Sequence, residues 1–256
     1  MPRSRPLIIV AVLIAAVAIG GFVVYDQVLR GDSAAALSLP TAAPTSSASS
    51  ATSAPSTAAS SDPATSAAPA ASSDGTVAGT WNVTTGSLAG YRVREQLASL
   101  SAESDAVGRT DQVTGSITLA TSGSTTTLTA ATITVDTTSI ASDESRRDNR
   151  MRDEGLQTDT YPTASFTLTQ PVEVPAAALA GTASDLTLTG DLTLHGVTKS
   201  VQIPAKAQLV DGTVQVQGSL SFPLSDYSIV APNIGGFIVS IADNGTLEFL
   251  VNFSKG

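Results

Sequence analysis

Charge is concentrated in one short stretch of this 256-residue chain. Arg146, Arg147, Arg150 and Arg152 fall within seven residues, interleaved with acids, while the flanking segments are rich in Thr and Val. On a helix beginning near Asp143 the spacing predicts the i,i+4 pairs Asp143/Arg147 and Asp148/Arg152, each with the acid on the N-terminal side, which is the favourable order. Arg146 and Arg150 then share a face with like charge, and Glu154 stands four residues beyond Arg150. Such a face is either a solvated, salt-bridged cap or a mouth that receives a phosphate or quinone head group. Glu95 is the second chemical oddity. It has the parity of Tyr91, Val93 and Leu97, so strict alternation points its carboxylate into an apolar interior. That requires an arginine from the 146–152 cluster, a bulge that turns Glu95 outward, or a ligand contact. His195, the one histidine, has the parity of a polar face and sits at a hairpin end, which reads as a surface turn; a lone imidazole makes no zinc site.

The elements that must position these residues have a period of two. Leu186, Leu188, Gly190, Leu192 and Leu194 alternate with Thr187, Thr189, Asp191, Thr193 and His195, and Val214, Val216, Gly218, Leu220 and Phe222 alternate with polar residues. Ile117 and Phe249 belong to further runs of the same kind. Asp211-Gly212 and Asn244-Gly245 supply hairpin signals. The pattern predicts an all-β domain of eight to ten antiparallel strands with a single short charged helix near 143–153, ended by Gly155 and followed by a Tyr161-Pro162 turn. Periodicity alone does not separate a closed barrel from a sandwich, nor an open lumen from a filled core.

The residues Arg147-Asp148, Met151-Arg152, Leu156, Tyr161-Pro162 and Phe166, followed by Leu192-Thr193-Leu194-His195-Gly196-Val197-Thr198-Lys199, resemble the YceI-like family of lipocalin-like, polyisoprenoid-binding proteins. The resemblance runs from about Gly79 to Phe253. It implies an antiparallel barrel of about eight strands and a lumen that holds a long isoprenoid lipid, a polyprenyl phosphate or an isoprenoid quinone. The lumen residues expected on that basis are Tyr91, Val93, Leu97, Ile117, Leu188, Leu192, Val216 and Phe249, with Arg146, Arg150 and Glu95 at a head-group mouth. Arg147, Asp148, Arg152, Tyr161 and Pro162 carry the family motif, and Arg147 and Asp148 are expected to fix the helix to the barrel. The alternatives are a structural or protein-interaction module with a filled core and a lipid-handling enzyme.

Composition bounds the rest. A net charge of −9 with no basic patch outside 146–152 argues against nucleic acid, and the absence of cysteine excludes disulfides and thiol chemistry. No nucleophile elbow, phosphate-cradling glycine loop or paired-histidine metal motif occurs, so a binding protein without a cofactor or metal is expected rather than an enzyme. Residues 7–25 form an unbroken apolar run behind Arg3 and Arg5, long enough to cross a bilayer as an uncleaved anchor with a cytoplasmic 1–6 segment and everything after it extracytoplasmic. Residues 26–75, dominated by Ala, Ser, Thr and Pro from 38 to 73, are expected to be a disordered stalk that stands a monomeric domain, 76–256, off the cell membrane.

Overall fold

The strands alternate as the sequence does, and the outcome is a closed ring. The structure, a computed structural model, describes residues 33–40, 77–97, 103–231 and 238–256. Eleven strands are assigned among them: β1 Gly79–Val83, β2 Leu88–Leu97, β3 Glu103–Thr110, β4 Val113–Ser122, β5 Thr125–Asp136, β6 Thr163–Leu168, β7 Val172–Val174, β8 Ser184–Leu194, β9 Val197–Val210, β10 Thr213–Pro223 and β11 Ile238–Lys255. Eight of them, in the order β1-β4-β5-β6-β8-β9-β10-β11, close on themselves through a β11–β1 pairing, all antiparallel. Closure leaves the ring without edges, which answers the hazard of a long exposed strand. β11 outlasts β1 and pairs further along with β2, which pairs with β3; an Arg109–Ala141 bridge ties β3 to the chain leaving β5.

The two ends of the barrel are capped differently. At one end a charged helix, α1 (Ser145–Arg150), is started by the Glu144 carboxylate accepting from the Arg146 amide at 3.0 Å, and widens into a π turn over Met151–Gly155. The expected single helix near 143–153 is therefore an α turn joined to a π turn. At the other end a four-residue helix, α2 (Ala176–Leu179), packs Ala178 into the interior. The core follows the same division. Trp81, Ile117, Leu119, Ile203, Val251 and Phe253 anchor one cluster, and Leu156, Leu192, Leu194, Tyr227 and Ile229 anchor the other below α1.

Two hairpin expectations meet different fates. Asp211 and Gly212 both take positive φ (49° and 73°), the type I′ geometry that matches strand twist, and they join β9 to β10. Asn244-Gly245 makes no turn. It lies inside β11 at a register shift between Ile241 and Gly245 against β2, so the flexible pair accommodates a bulge while β11 continues.

Among the described residues no helix is long and apolar enough to cross a membrane. The expected anchor at 7–25, the 1–6 segment and most of the expected stalk lie outside the described residues. Within that stalk, Ser33–Pro40 is described, and it does not behave as a stalk: it runs along the outer wall of the barrel, held by Arg92, Asp105, Arg109 and Gln208.

Candidate functional site

The inward residues enclose an apolar cavity of about 120 Å³. Residues of the ring strands and of α2 border it, and the side chains that face it are aliphatic or aromatic. Ile117, Leu188, Leu192, Val216 and Phe249 are among the residues that line it. Tyr91 and Val93 do not; they border a second cavity of about 30 Å³ at the α1 end, the volume of a site for a single small group. The two spaces are neighbours, since Tyr91 of the second is the register partner of Leu247 of the first. Leu97 ends β2 opposite Ile238, and its side chain is outside the described residues.

Two of the inward positions are glycines. A Cβ on Gly190 would stand 2.5 Å from the Phe166 ring, and one on Gly218 would stand 2.6 Å from the ring of Phe249, its direct register partner. Each ring packs against a stretch of backbone that carries no side chain. Alternation marked these positions as inward but gave no reason for glycine there; the reason is close approach from across the strands, by the Thr167 carbonyl and the Phe166 ring at Gly190 and by the Phe249 ring and the Pro204 carbonyl at Gly218.

Below α1 the charges are arranged more tightly than spacing foretold. Arg147 reaches into the barrel end and donates through Nη2 to Glu95 Oε1 at 2.7 Å, while Nη1 donates to Asp143 Oδ1 at 2.7 Å. The Glu95 side chain is 2% exposed and that of Arg147 10%. Glu95 thus faces inward, as its parity required, and its partner is the arginine expected to hold the helix on the barrel. Burial pushes the Glu95 carboxyl above its ordinary value of 4.5, against the opposing pull of Arg147. For Arg147 burial works against the charge, yet the hydrogen bond to Asp143 and the charge of Glu95 outweigh it and hold its pKa up. Burial also raises the Tyr91 hydroxyl well above its ordinary range, so it stays a neutral O–H donor. Tyr91 Oη and Arg147 Nε are both buried and meet no hydrogen-bond partner among the described residues.

Three expectations about this region need correction. Asp148 does not pair with Arg152; it turns to Ser142, accepting from the backbone N at 3.0 Å and from Oγ at 2.6 Å, and so ties the start of the helix to the preceding loop. Arg152 donates instead to Asn149 Oδ1 at 3.1 Å and to the Ile140 carbonyl at 3.4 Å. Arg150 is bonded to Glu154 on the exposed flank, and Arg146 is exposed as well, so neither opens onto either cavity. His195 is no surface residue: it is 8% exposed. Its φ of 52° in the tight β8–β9 turn breaks the alternation and folds the ring under the barrel end. There Nδ1–H donates to the Tyr227 carbonyl at 3.0 Å, and the ring meets Tyr161 edge-on with centroids 4.5 Å apart. Tyr161 also covers Gly196, whose added Cβ would stand 2.5 Å from the ring, and Tyr161 and Pro162 offer their carbonyls to Thr137 at 2.9 Å. The family motif is therefore a set of contacts that locks the α1 end.

A closed eight-strand antiparallel ring with an aliphatic lumen and a helix locked over one end agrees with what comparison with known proteins finds. The YceI-like domain model matches residues 62–253. This chain belongs to the YceI-like family. It is 40% identical over 75 residues to protein YceI of Escherichia coli O17:K52:H18, a match covering 29% of this chain and 35% of the relative, and 39% identical over a stretch of the same length to protein YceI of Shigella flexneri. The match spans about a third of the length of these curated YceI relatives. Among solved structures, a polyisoprenoid binding domain from Saccharophagus degradans, implicated in plant cell wall breakdown, superposes with a TM-score of 0.54 at 24% identity, covering 70% of this chain and 99% of that one. That likeness shares the fold of the YceI-like barrel.

Proposed function

We propose that this protein is an extracytoplasmic, membrane-tethered binding protein that holds the chain of a long isoprenoid lipid in its barrel lumen. The observation that carries the reading is the cavity of about 120 Å³ bordered by aliphatic and phenylalanine side chains, with Gly190 beside Phe166 and Gly218 beside Phe249. An apolar core cavity of roughly 150 Å³ accepts benzene, so this volume takes one segment of a flexible, branched chain. A longer chain is accommodated as the two phenyl rings and neighbouring Leu and Ile rotamers shift along the lumen. The name of the Saccharophagus domain supports the same ligand class. The apolar run at 7–25 supports the tether.

The end below α1 favours an uncharged head group, an isoprenoid quinone over a polyprenyl phosphate. Arg147 already shares its charge between Glu95 and Asp143, and the cavity beside it, about 30 Å³, has room for a carbonyl oxygen and none for a phosphate. Tyr91 O–H and Arg147 Nε–H are the donors such an oxygen would meet.

The test is lipid extraction from protein purified out of its native membrane, followed by binding of matched quinone and polyprenyl phosphate. Val216→Trp and Leu192→Trp, which fill the lumen, should lower occupancy while the far-UV spectrum stays that of an all-β protein. Unchanged occupancy in both folded variants overturns the lumen as the site. An empty native extract would favour a protein-interaction barrel.

A further inference from the structure

The segment Ser33–Pro40 crosses the outer wall in a defined direction, and its docking uses backbone. Ser33 Oγ donates to the Asp105 carbonyl at 2.8 Å and accepts from the Asp105 amide at 3.1 Å. The Ala34 carbonyl accepts from Arg92 Nη2 at 2.7 Å, the Ala35 carbonyl accepts from Arg109, and the Pro40 carbonyl accepts from Gln208 Nε2 at 3.2 Å. Leu37 and Leu39 are half-buried while Ala34, Ala35, Ala36 and Ser38 are exposed. The receiving guanidinium groups are already fixed by the wall: Arg92 Nη1 meets Asp105 Oδ2 at 3.1 Å, and Arg109 meets Glu248 Oε1 at 2.9 and 2.6 Å. Groups held in place beforehand lose little freedom when the segment arrives.

The register of the strands gives the direction. Asp105 pairs with Arg94, next to Glu95 at the α1 end; Arg109 pairs with Gly90, opposite Glu248 in mid-barrel; Gln208 pairs with Gln215, opposite Asn252, toward the far end. Ser33 therefore lies at the α1-covered end and Pro40 toward the other. Between the apolar run ending at Tyr25 and Ser33 stand only seven residues, 26–32, which span at most about 25 Å fully extended. A free linker from 26 to 75 would instead average roughly 40 Å end to end and leave the barrel in any orientation.

We propose that residues 33–40 are a strap that clamps the barrel to its own N-terminal segment and turns the α1-covered end, with Tyr91, Glu95 and Arg147 beneath it, toward the membrane. The strap itself stands on the contacts above; its orienting role rests on the membrane tether proposed in the preceding section. Lipid then passes between bilayer and lumen at one fixed end, and a short lead takes the place of the expected stalk.

The sequence has no cysteine, so paired labels are clean. The full chain is placed in liposomes of phosphatidylcholine and phosphatidylglycerol, with spin labels at Ala36→Cys and Ala130→Cys, both exposed. A single narrow distance is expected, broadening several-fold when 33–40, apart from the labelled position 36, is replaced by Gly and Ser at equal length, a change that leaves every barrel residue intact. An equally broad distribution in the unaltered chain overturns the strap. In parallel, fluorophores at Ser145→Cys on α1 and at Ala183→Cys beyond α2 are quenched by spin-labelled lipid. Stronger quenching at Ser145, equalised by the Gly/Ser replacement, supports the orientation. A narrow distance with equal quenching at both positions overturns it. A chain that fails to float with the liposomes overturns the tether reading, while the distance measurement on the same protein still decides the strap.

Discussion

Two buried glutamates, one inside the barrel and one outside, show how the same residue type is managed for opposite ends. Glu95 and Glu248 have side chains 2% and 4% exposed, and each is held by arginine. Inside, Glu95 has one arginine, and that arginine is shared with Asp143, so carboxylates outnumber cations and burial raises the Glu95 pKa. Outside, Glu248 has two: Arg109 at 2.6 Å and Arg92 at 3.6 Å. Their remaining N–H groups are turned to the carbonyls of the strap. The inner arrangement has no charge to spare, which is why the head group proposed for it is a neutral one. The outer one has donors to spare and binds backbone.

The largest expected effect comes from breaking the inner pair. Arg147→Ala leaves Glu95 buried without its partner and releases Asp143 as well, and it should cost about 3–5 kcal/mol in urea denaturation. A loss under about 1 kcal/mol would mean that water reaches Glu95 and that the α1 end is open.

The outer cluster should respond less, and its response should depend on the strap. Arg109→Ala leaves Glu248 with the longer Arg92 contact and should cost about 1–3 kcal/mol. In the chain with 33–40 replaced by Gly/Ser, water can reach Glu248, and the same substitution should cost less. A double-mutant cycle reads this as a coupling of about 0.5 kcal/mol or more, whereas strict additivity would mean that the strap does not shield the pair.

The third test separates the two glutamates by pH. Because the folded-state pKa of Glu95 is raised, the native protein holds that proton more tightly than the unfolded chain does. Its contribution to stability is therefore full below the ordinary value of 4.5 and is lost as pH rises through the raised value. Glu95→Gln removes this dependence. The stability of the parent relative to Glu95→Gln should fall as pH rises above 4.5, read by parallel melts; a flat difference would show that Arg147 compensates the carboxylate fully.

The contrast also shows what the sequence could reveal. Glu95 was legible because its parity is wrong for a carboxylate, and an arginine cluster was in sight to answer it. Glu248 has the parity of an outward residue, as Arg92 and Arg109 do, so alternation marked nothing unusual; it is buried beneath those arginines, whose other N–H groups hold the strap. The strap was hidden for a different reason. Ser33–Pro40 docks mainly through carbonyl oxygens, which every residue carries, so its Ala-rich composition looks like linker. His195 and Asn244-Gly245 were misread because a positive-φ turn and a bulge both interrupt the period of two on which the reading depended. Ile117, Leu188, Leu192, Val216 and Phe249, on strands where that period holds, face inward and border the cavity.

The smallest effect should come from Arg150, and its smallness is informative. Arg150 sits half-exposed on the flank of α1, bonded to Glu154 at i,i+4. Exposed pairs of this kind contribute about 0.3–0.5 kcal/mol, so Arg150→Ala should shift stability by no more than that. If the head group is uncharged and docks beneath the helix, Arg150→Ala should also leave quinone and polyprenyl phosphate binding equally unaffected at low and high salt. A selective, salt-sensitive loss of phosphate binding would place the head group on the outer face of α1. The under-compensated inner carboxylate would then be a structural lock alone, and the difference between the two glutamates would no longer bear on ligand choice.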